Sequence, residues 1–201
     1  MEGNSILHSK FSQSTFSGYG VKFHPIKPKD LLNLRRWRNS ERVSAQMKDS
    51  TYIKAENQRA WFENSLNRDN FAHWIVSHKG VKTGYVSIRA EKGTLTSKTY
   101  LSGGYYVGDS SVVNGLLGYA MVLMYHDIIF NFMQAPFLKD FVLKTNSTAR
   151  RLNKQFGYIE EPQDELYMTI TLKPEDYEKN KQKFVRYFKN TECKLLEEND
   201  G

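Results

Sequence analysis

The run from Gly115 to Met133 constrains the fold more than any other part of the chain, because it is the most apolar stretch and has to be hidden from water. A membrane span needs about twenty mostly apolar residues, and His126, Asp127 and Asn131 interrupt this run. It is therefore read as a buried amphipathic helix, around which other elements must form layers. The 201 residues suffice for one domain of ordinary size, which buries about two-thirds or more of its unfolded surface. A composition with 39% hydrophobic residues, rich in aromatics, excludes disorder over most of the length.

The pattern on either side supplies those layers. Val21 to Ile26 reads as a strand, and Pro28 with Asp30 opens a helix that places Leu31, Leu34 and Trp37 on one face. A second helical pattern follows Ile53, with Ala60, Trp61 and Leu66 as its apolar positions. Segments 71–77 and 84–88, separated by His78-Lys79-Gly80, read as a hairpin, and Gly103 to Gly108 as a further strand. After the apolar helix come a buried strand, Leu138 to Leu143, a short helix from Ser147 to Phe156 stopped by Gly157, and an alternating strand, Glu165 to Leu172. A charged helix from Pro174 to Phe188 closes the ordered part. The Ser- and Gly-rich residues 1–20 are expected to be a flexible segment, residues 21–172 the folded domain, and residues 173–201 a charged helix and tail.

Charge and cysteine content narrow the setting. The net charge of +7 is compatible with nucleic acid, an anionic cofactor or a basic soluble surface. Residues 21–72 hold eleven Lys/Arg against six Asp/Glu, which places the excess where a phosphate-bearing substrate is met. Cys193 has no partner for an intrachain disulfide, and a reducing cytoplasm is the expected compartment. His24, His73 and His126 lack metal-ligand spacing, so no metal is expected.

Residues Asn146 to Tyr158, with Ala149, Leu152 and Gly157 between, resemble the pattern Asn-x-x-Ala-x-x-Leu-Tyr-x-x-x-Gly-Phe of the GNAT superfamily of N-acetyltransferases. Gly115, Gly118 and Ala120 resemble the end of that superfamily's pyrophosphate loop, and Gly118 precedes Asn146 by about the usual interval. A leading Arg or Gln is missing, so backbone N–H groups at a helix start are expected to carry the phosphates. Leu34-Arg35-Arg36-Trp37-Arg38-Asn39, then Val43, Met47, Ile53, Gln58 and Trp61-Phe62, is similar to the opening of nucleotide-sugar N-acetyltransferases such as those of pseudaminic acid biosynthesis. The same opening also resembles relatives that acetylate ribosomal-protein N-termini or aminoglycosides.

The resemblance implies an α/β (α+β) fold: a mixed, mostly antiparallel twisted sheet flanked by helices, with splayed central strands that admit the pantetheine arm of acetyl-CoA. It implies direct acetyl transfer to a small-molecule amine, with a nucleotide sugar as the narrower acceptor and a non-catalytic acyl-CoA-binding regulator as the rival reading. Neither membrane nor nucleic acid is an expected partner, and monomer and homodimer both remain open. Cofactor contacts are expected from Tyr106, Val107, Gly115, Leu116, Leu117, Gly118, Tyr119, Asn146 and Asn153, and acceptor contacts from Arg38, Asn39 and Trp61. Tyr106 and Asn153 are the candidate catalytic residues. Asn153 stands where the superfamily often has the Tyr that protonates the departing thiolate. No carboxylate falls within residues 101–107, which leaves general acid and base unassigned; Glu56 and Asp109 are candidate bases by position only.

Overall fold

The computed structural model describes residues 11–66, 68–112 and 115–196. A hairpin, β1 (Thr15–Gly18) and β2 (Val21–Pro25), leads into helices α1 (Leu31–Arg38), α2 (Glu41–Ser44) and α3 (Ala55–Leu66). Strands β3 (Phe71–His78), β4 (Val81–Ala90) and β5 (Leu101–Val107) follow as an antiparallel meander. Lys79 and Gly80 both take positive φ, 50° and 80°, the two-residue turn that matches the twist of paired strands. Next come α4 (Gly115–Asp127), β6 (Leu138–Leu143), α5 (Ser147–Phe156), β7 (Ile159–Pro162), β8 (Tyr167–Leu172), α6 (Pro174–Val185) and β9 (Lys194–Leu196).

The strands form one nine-stranded sheet in the order β7-β8-β6-β5-β4-β3-β2-β1-β9. Its neighbours are antiparallel apart from β5 and β6, which run parallel because α4 carries the chain back to the starting edge. The mixed, mostly antiparallel sheet flanked by helices agrees with the expected fold class.

Helix α4 is the centre of the core. It touches β1, β2 and β5 on one side and α6 on the other, and every residue from Ala120 to Phe130 is buried. The amphipathic reading is corrected here: with the sheet below and α6 above, this part of the helix has no wet face, which is why it is apolar all round. Its polar interruptions are satisfied inside. Asp127 accepts hydrogen bonds from the Tyr19 hydroxyl at 2.6 Å, the Tyr177 hydroxyl at 2.7 Å and the Lys181 ammonium at 2.6 Å. The helix ends in a π turn over Ile128–Phe132, where the Met133 N–H reaches the Ile128 carbonyl at 3.0 Å.

On the opposite face of the sheet, α1 and α3 cover Ile26 and Ile75 with Leu34, Trp37 and Phe62. The Trp37 ring leaves no room at Gly108, where a Cβ would lie 2.2 Å from it.

Two boundary expectations are corrected. Residues 1–20 are not flexible throughout: Thr15–Gly18 pairs with β2, and Phe16 and Tyr19 are buried. The charged tail also returns to the sheet, since Thr15, Phe16 and Ser17 pair with Leu196, Leu195 and Lys194. Residues 1–10 and 197–201 lie outside the described residues.

Candidate active site

Leu101 and Leu138 are the single register pair between β5 and β6. Beyond it the strands part, and a cleft of about 720 Å³ opens between them. The Gly103 N–H, which a neighbouring strand would otherwise take, donates to the Asp140 carboxylate at 2.7 Å. Strand geometry alternates, so the N–H groups of Tyr105 and Val107 aim the same way, toward the gap.

The first and third helices build one wall. Arg38, at the end of α1, lines the cleft with Trp61 from α3. One guanidinium nitrogen of Arg38 donates to the Asp49 backbone carbonyl, and its Nη1 is buried with no hydrogen-bond partner. Trp61 meets His73 edge-on at 5.1 Å, His73 Nδ1 lies 2.8 Å from the Tyr85 hydroxyl, and Tyr85 lies 5.2 Å from Tyr106 ring to ring. Burial, with Arg68 nearby, holds His73 down to about 4, so its imidazole is neutral at pH 7. Tyr106 lines the cleft, and burial pushes its phenol far above the usual range, so it keeps its proton. Asn39 does not reach the cleft. Its amide donates to the Ile53 carbonyl at 2.9 Å and accepts from the Ile53 N–H at 2.8 Å, so both ends hold the loop that carries Arg38's partner.

The other wall comes from β6 and α5. Asn146 caps α5, accepting from the Ala149 N–H at 3.0 Å, and faces the cleft together with buried Asn153. Between these walls stand Tyr105, Tyr125, Tyr158 and Asp140; sequence reasoning weighed Tyr105 against Tyr106 and placed Tyr158 at the end of the motif, but gave no role to Tyr125 or Asp140. Burial raises all three phenols, and Asp140 adds to the rise in each. The Tyr158 hydroxyl lies 2.8 Å from His126 Nε2, whereas the buried Tyr125 hydroxyl has no partner. Burial pushes Asp140 up to about 6, against the pull of the Gly103 and Phe141 N–H groups and of Arg89. A signal for Asp140 existed: it shares a strand face with Leu138 and Val142, an apolar face on which a carboxylate is out of place. Glu56 is exposed on α3, and Asp109 accepts from the Ser111 N–H and hydroxyl at 2.9 and 2.7 Å; neither lines the cleft.

The expected phosphate turn is placed differently. Gly115 to Tyr119 are not a loop before the helix but its first turns, and residues 113–114 lie outside the described residues. Leu117 faces the core. Gly115, Leu116 and Tyr119 line a second groove with Lys183 and Arg186 at the end of α6. A Cβ at Gly115 or Gly118 would meet nothing within 4 Å, so a ligand can approach the backbone there. Val107 is outside the cleft lining, and its carbonyl accepts from Arg42 at 2.7 Å. Among the described residues no three His, Cys, Asp or Glu side chains group to hold a metal.

No protein-family model matches the chain. No curated protein matches it either. Solved structures do. FdhC, described as a nucleotide-linked sugar GNAT, superposes with a TM-score of 0.73 at 14% identity, over 87% of this chain and 98% of that one. Spermidine N-acetyltransferase from Vibrio cholerae, solved with CoA and spermine, gives 0.68 at 12% identity over 83% and 98%. The aminoglycoside acetyltransferase AAC(6')-Ib, solved with coenzyme A, gives 0.65 at 14% over 84% and 99%. The nine-stranded sheet, its parted β5 and β6 and the central α4 thus have the fold of the GNAT N-acetyltransferases.

Proposed function

We propose that the chain is an acetyl-CoA-dependent N-acetyltransferase that acylates a primary amine, with a nucleotide-linked amino sugar as its acceptor. The observation that carries the reading is the parting of β5 from β6 beyond Leu101 and Leu138, in a fold whose neighbours were solved with coenzyme A. The residues present fit that group. N–H groups of β5 that aim into the gap can hold a pantetheine chain as a strand would, and the first turn of α4, which lines a groove with Lys183 and Arg186, suits phosphates. Acetyl-CoA supplies the thioester carbonyl.

The Tyr105 N–H group, on the strand that lines the cleft, then stabilises the negative charge that develops on the carbonyl oxygen. Holding both reactants in one cleft supplies much of the remaining acceleration. The narrower acceptor is supported by the buried, unpartnered Nη1 of Arg38, a donor suited to phosphate. Rings of Trp61, Tyr85 and Tyr106 line the same cleft, and the similarity to FdhC points the same way.

The test is thiol release from acetyl-CoA with a panel of nucleotide-linked amino sugars, an aminoglycoside, spermidine and a peptide N-terminus. The highest kcat/KM is expected for an amino sugar nucleotide. Highest turnover of another amine overturns the acceptor assignment. No thiol release with any amine, in protein that binds acetyl-CoA, leaves the regulator reading in its place.

A further inference from the structure

The cleft contains one carboxylate at the place where the strands part. Asp49, the other carboxylate in the lining, is exposed at the outer wall and is occupied by the Thr51 N–H at 2.8 Å. Asp140 stands at the start of the gap, two residues past Leu138 as Gly103 is two past Leu101, and its oxygens accept from Gly103 and Phe141 N–H groups at 2.7 and 2.8 Å. A carboxylate has about four acceptor sites, so each oxygen keeps one for a ligand. The unpartnered Tyr125 hydroxyl lines the same end, 2.9 Å from where a Cβ of Gly103 would stand. A buried hydroxyl without a partner is costly, and here it faces a cleft in which a polar group can satisfy it.

We infer that Asp140 is the proton-transferring catalytic residue of this cleft, taking the proton from the attacking amine and returning it to the departing sulfur; this rests on the acetyltransferase reading above. The lone pair of the neutral amine forms the bond to the thioester carbonyl carbon. The N–H proton of the resulting ammonium passes to the Asp140 carboxylate, directly or through one water. The carbon–sulfur bond then breaks with its electron pair on sulfur, and the Asp140 carboxylic acid returns the proton, giving amide, free thiol and the starting carboxylate. One group thereby fills both roles for which the superfamily pattern offers no residue in this chain, at Asn153 and along β5.

The groups that face Asp140 are Arg89 and Glu91 at the closed end, Tyr105 from β5, Tyr125 from α4 and Tyr158 beyond α5. Arg89 is committed to Glu91 and to the Ser102 hydroxyl at 3.2 Å. The tyrosines are neutral, so Asp140 titrates against apolar surroundings and two backbone dipoles. That tunes its proton affinity to neutral-pH work.

The experiment has an arm that needs no acceptor. Infrared difference spectra of the wild-type protein follow the carboxylic-acid carbonyl band, which phosphate does not give, against pH with and without acetyl-CoA. A carboxyl titrating near pH 6 is expected, moving to higher pH when acetyl-CoA displaces water from the gap. Asp140→Asn should lack that band and bind acetyl-CoA within threefold of wild type. In the second arm, with the best amine of the panel, Asp140→Asn should lose about a hundredfold or more of kcat/KM together with the acid limb of its pH profile. A band that acetyl-CoA does not move overturns the proposal even where Asp140→Asn fails to fold, and so does an acid limb retained in the variant. A moved band with no amine turned over instead indicts the acetyltransferase reading.

Discussion

Single side chains decide the chemistry, and Asn153 shows how. An amide gives up no proton at working pH, and the thiol of coenzyme A, like a free cysteine, leaves as a tolerable thiolate at a pKa of about 8 to 9. Asn153→Ala should therefore lower kcat by about tenfold or less, below the loss expected for a general acid; a drop above a thousandfold in folded protein would place a catalytic role there. On the proposed function, Arg38→Ala should raise the acceptor KM and leave acetyl-CoA affinity unchanged, read by steady-state kinetics beside calorimetry, because Arg38 lines the cleft and its buried Nη1 has no hydrogen-bond partner. Asp140 also marks the stability curve. Its folded pKa is raised, from 3.8 to about 6, so its contribution is fully present below the unfolded value and is lost as pH rises through about 6. Between pH 4 and pH 8, urea unfolding should show wild type losing at most about 3 kcal/mol relative to Asp140→Asn.

Elements differ in how openly they announce themselves. β6 and α5 were legible to the residue, since Leu138–Leu143 lies between turn residues and Ser147–Phe156 has an Asn cap and a Gly157 stop with φ of 96°. β1, β7 and β9 were not. Each has three or four residues and depends on pairing with a distant partner, as Phe16 does with Phe23 and Leu195, which no local pattern reveals. The cleft wall built by α1 and α3 was half legible: Arg38 and Trp61 line it, whereas the Asn39 amide is spent on Ile53. Asp140 was out of place on the apolar face of its strand, but what it does there depends on Gly103, thirty-seven positions away in sequence. The start of α4 offers a test at this scale. A Cβ at Gly118 meets no atom within 4 Å and Gly118→Glu replaces a helical glycine, so folding should survive. Acetyl-CoA affinity, measured by calorimetry, should fall at least tenfold, about 1.4 kcal/mol; unchanged affinity would remove this helix start from the cofactor site.

At the scale of the whole molecule, the buried Asp127 joins three parts of the chain: Tyr19 beside the first hairpin, the central helix, and Tyr177 and Lys181 of α6. Removing one member of a buried ion pair costs about 3 to 5 kcal/mol, so Asp127→Ala should show a loss of that order in denaturant unfolding although it lies outside the cleft; a loss below about 1 kcal/mol would show that the tie is dispensable. The lone register pair at Leu101 and Leu138 has the opposite character. In hydrogen-bonding terms the molecule is two ladders fastened at one rung, a six-stranded one from β9 to β5 and a three-stranded one of β6, β7 and β8. A chain of amides laid between them would supply the missing rungs, so a ligand of that kind would double as a clasp for the fold.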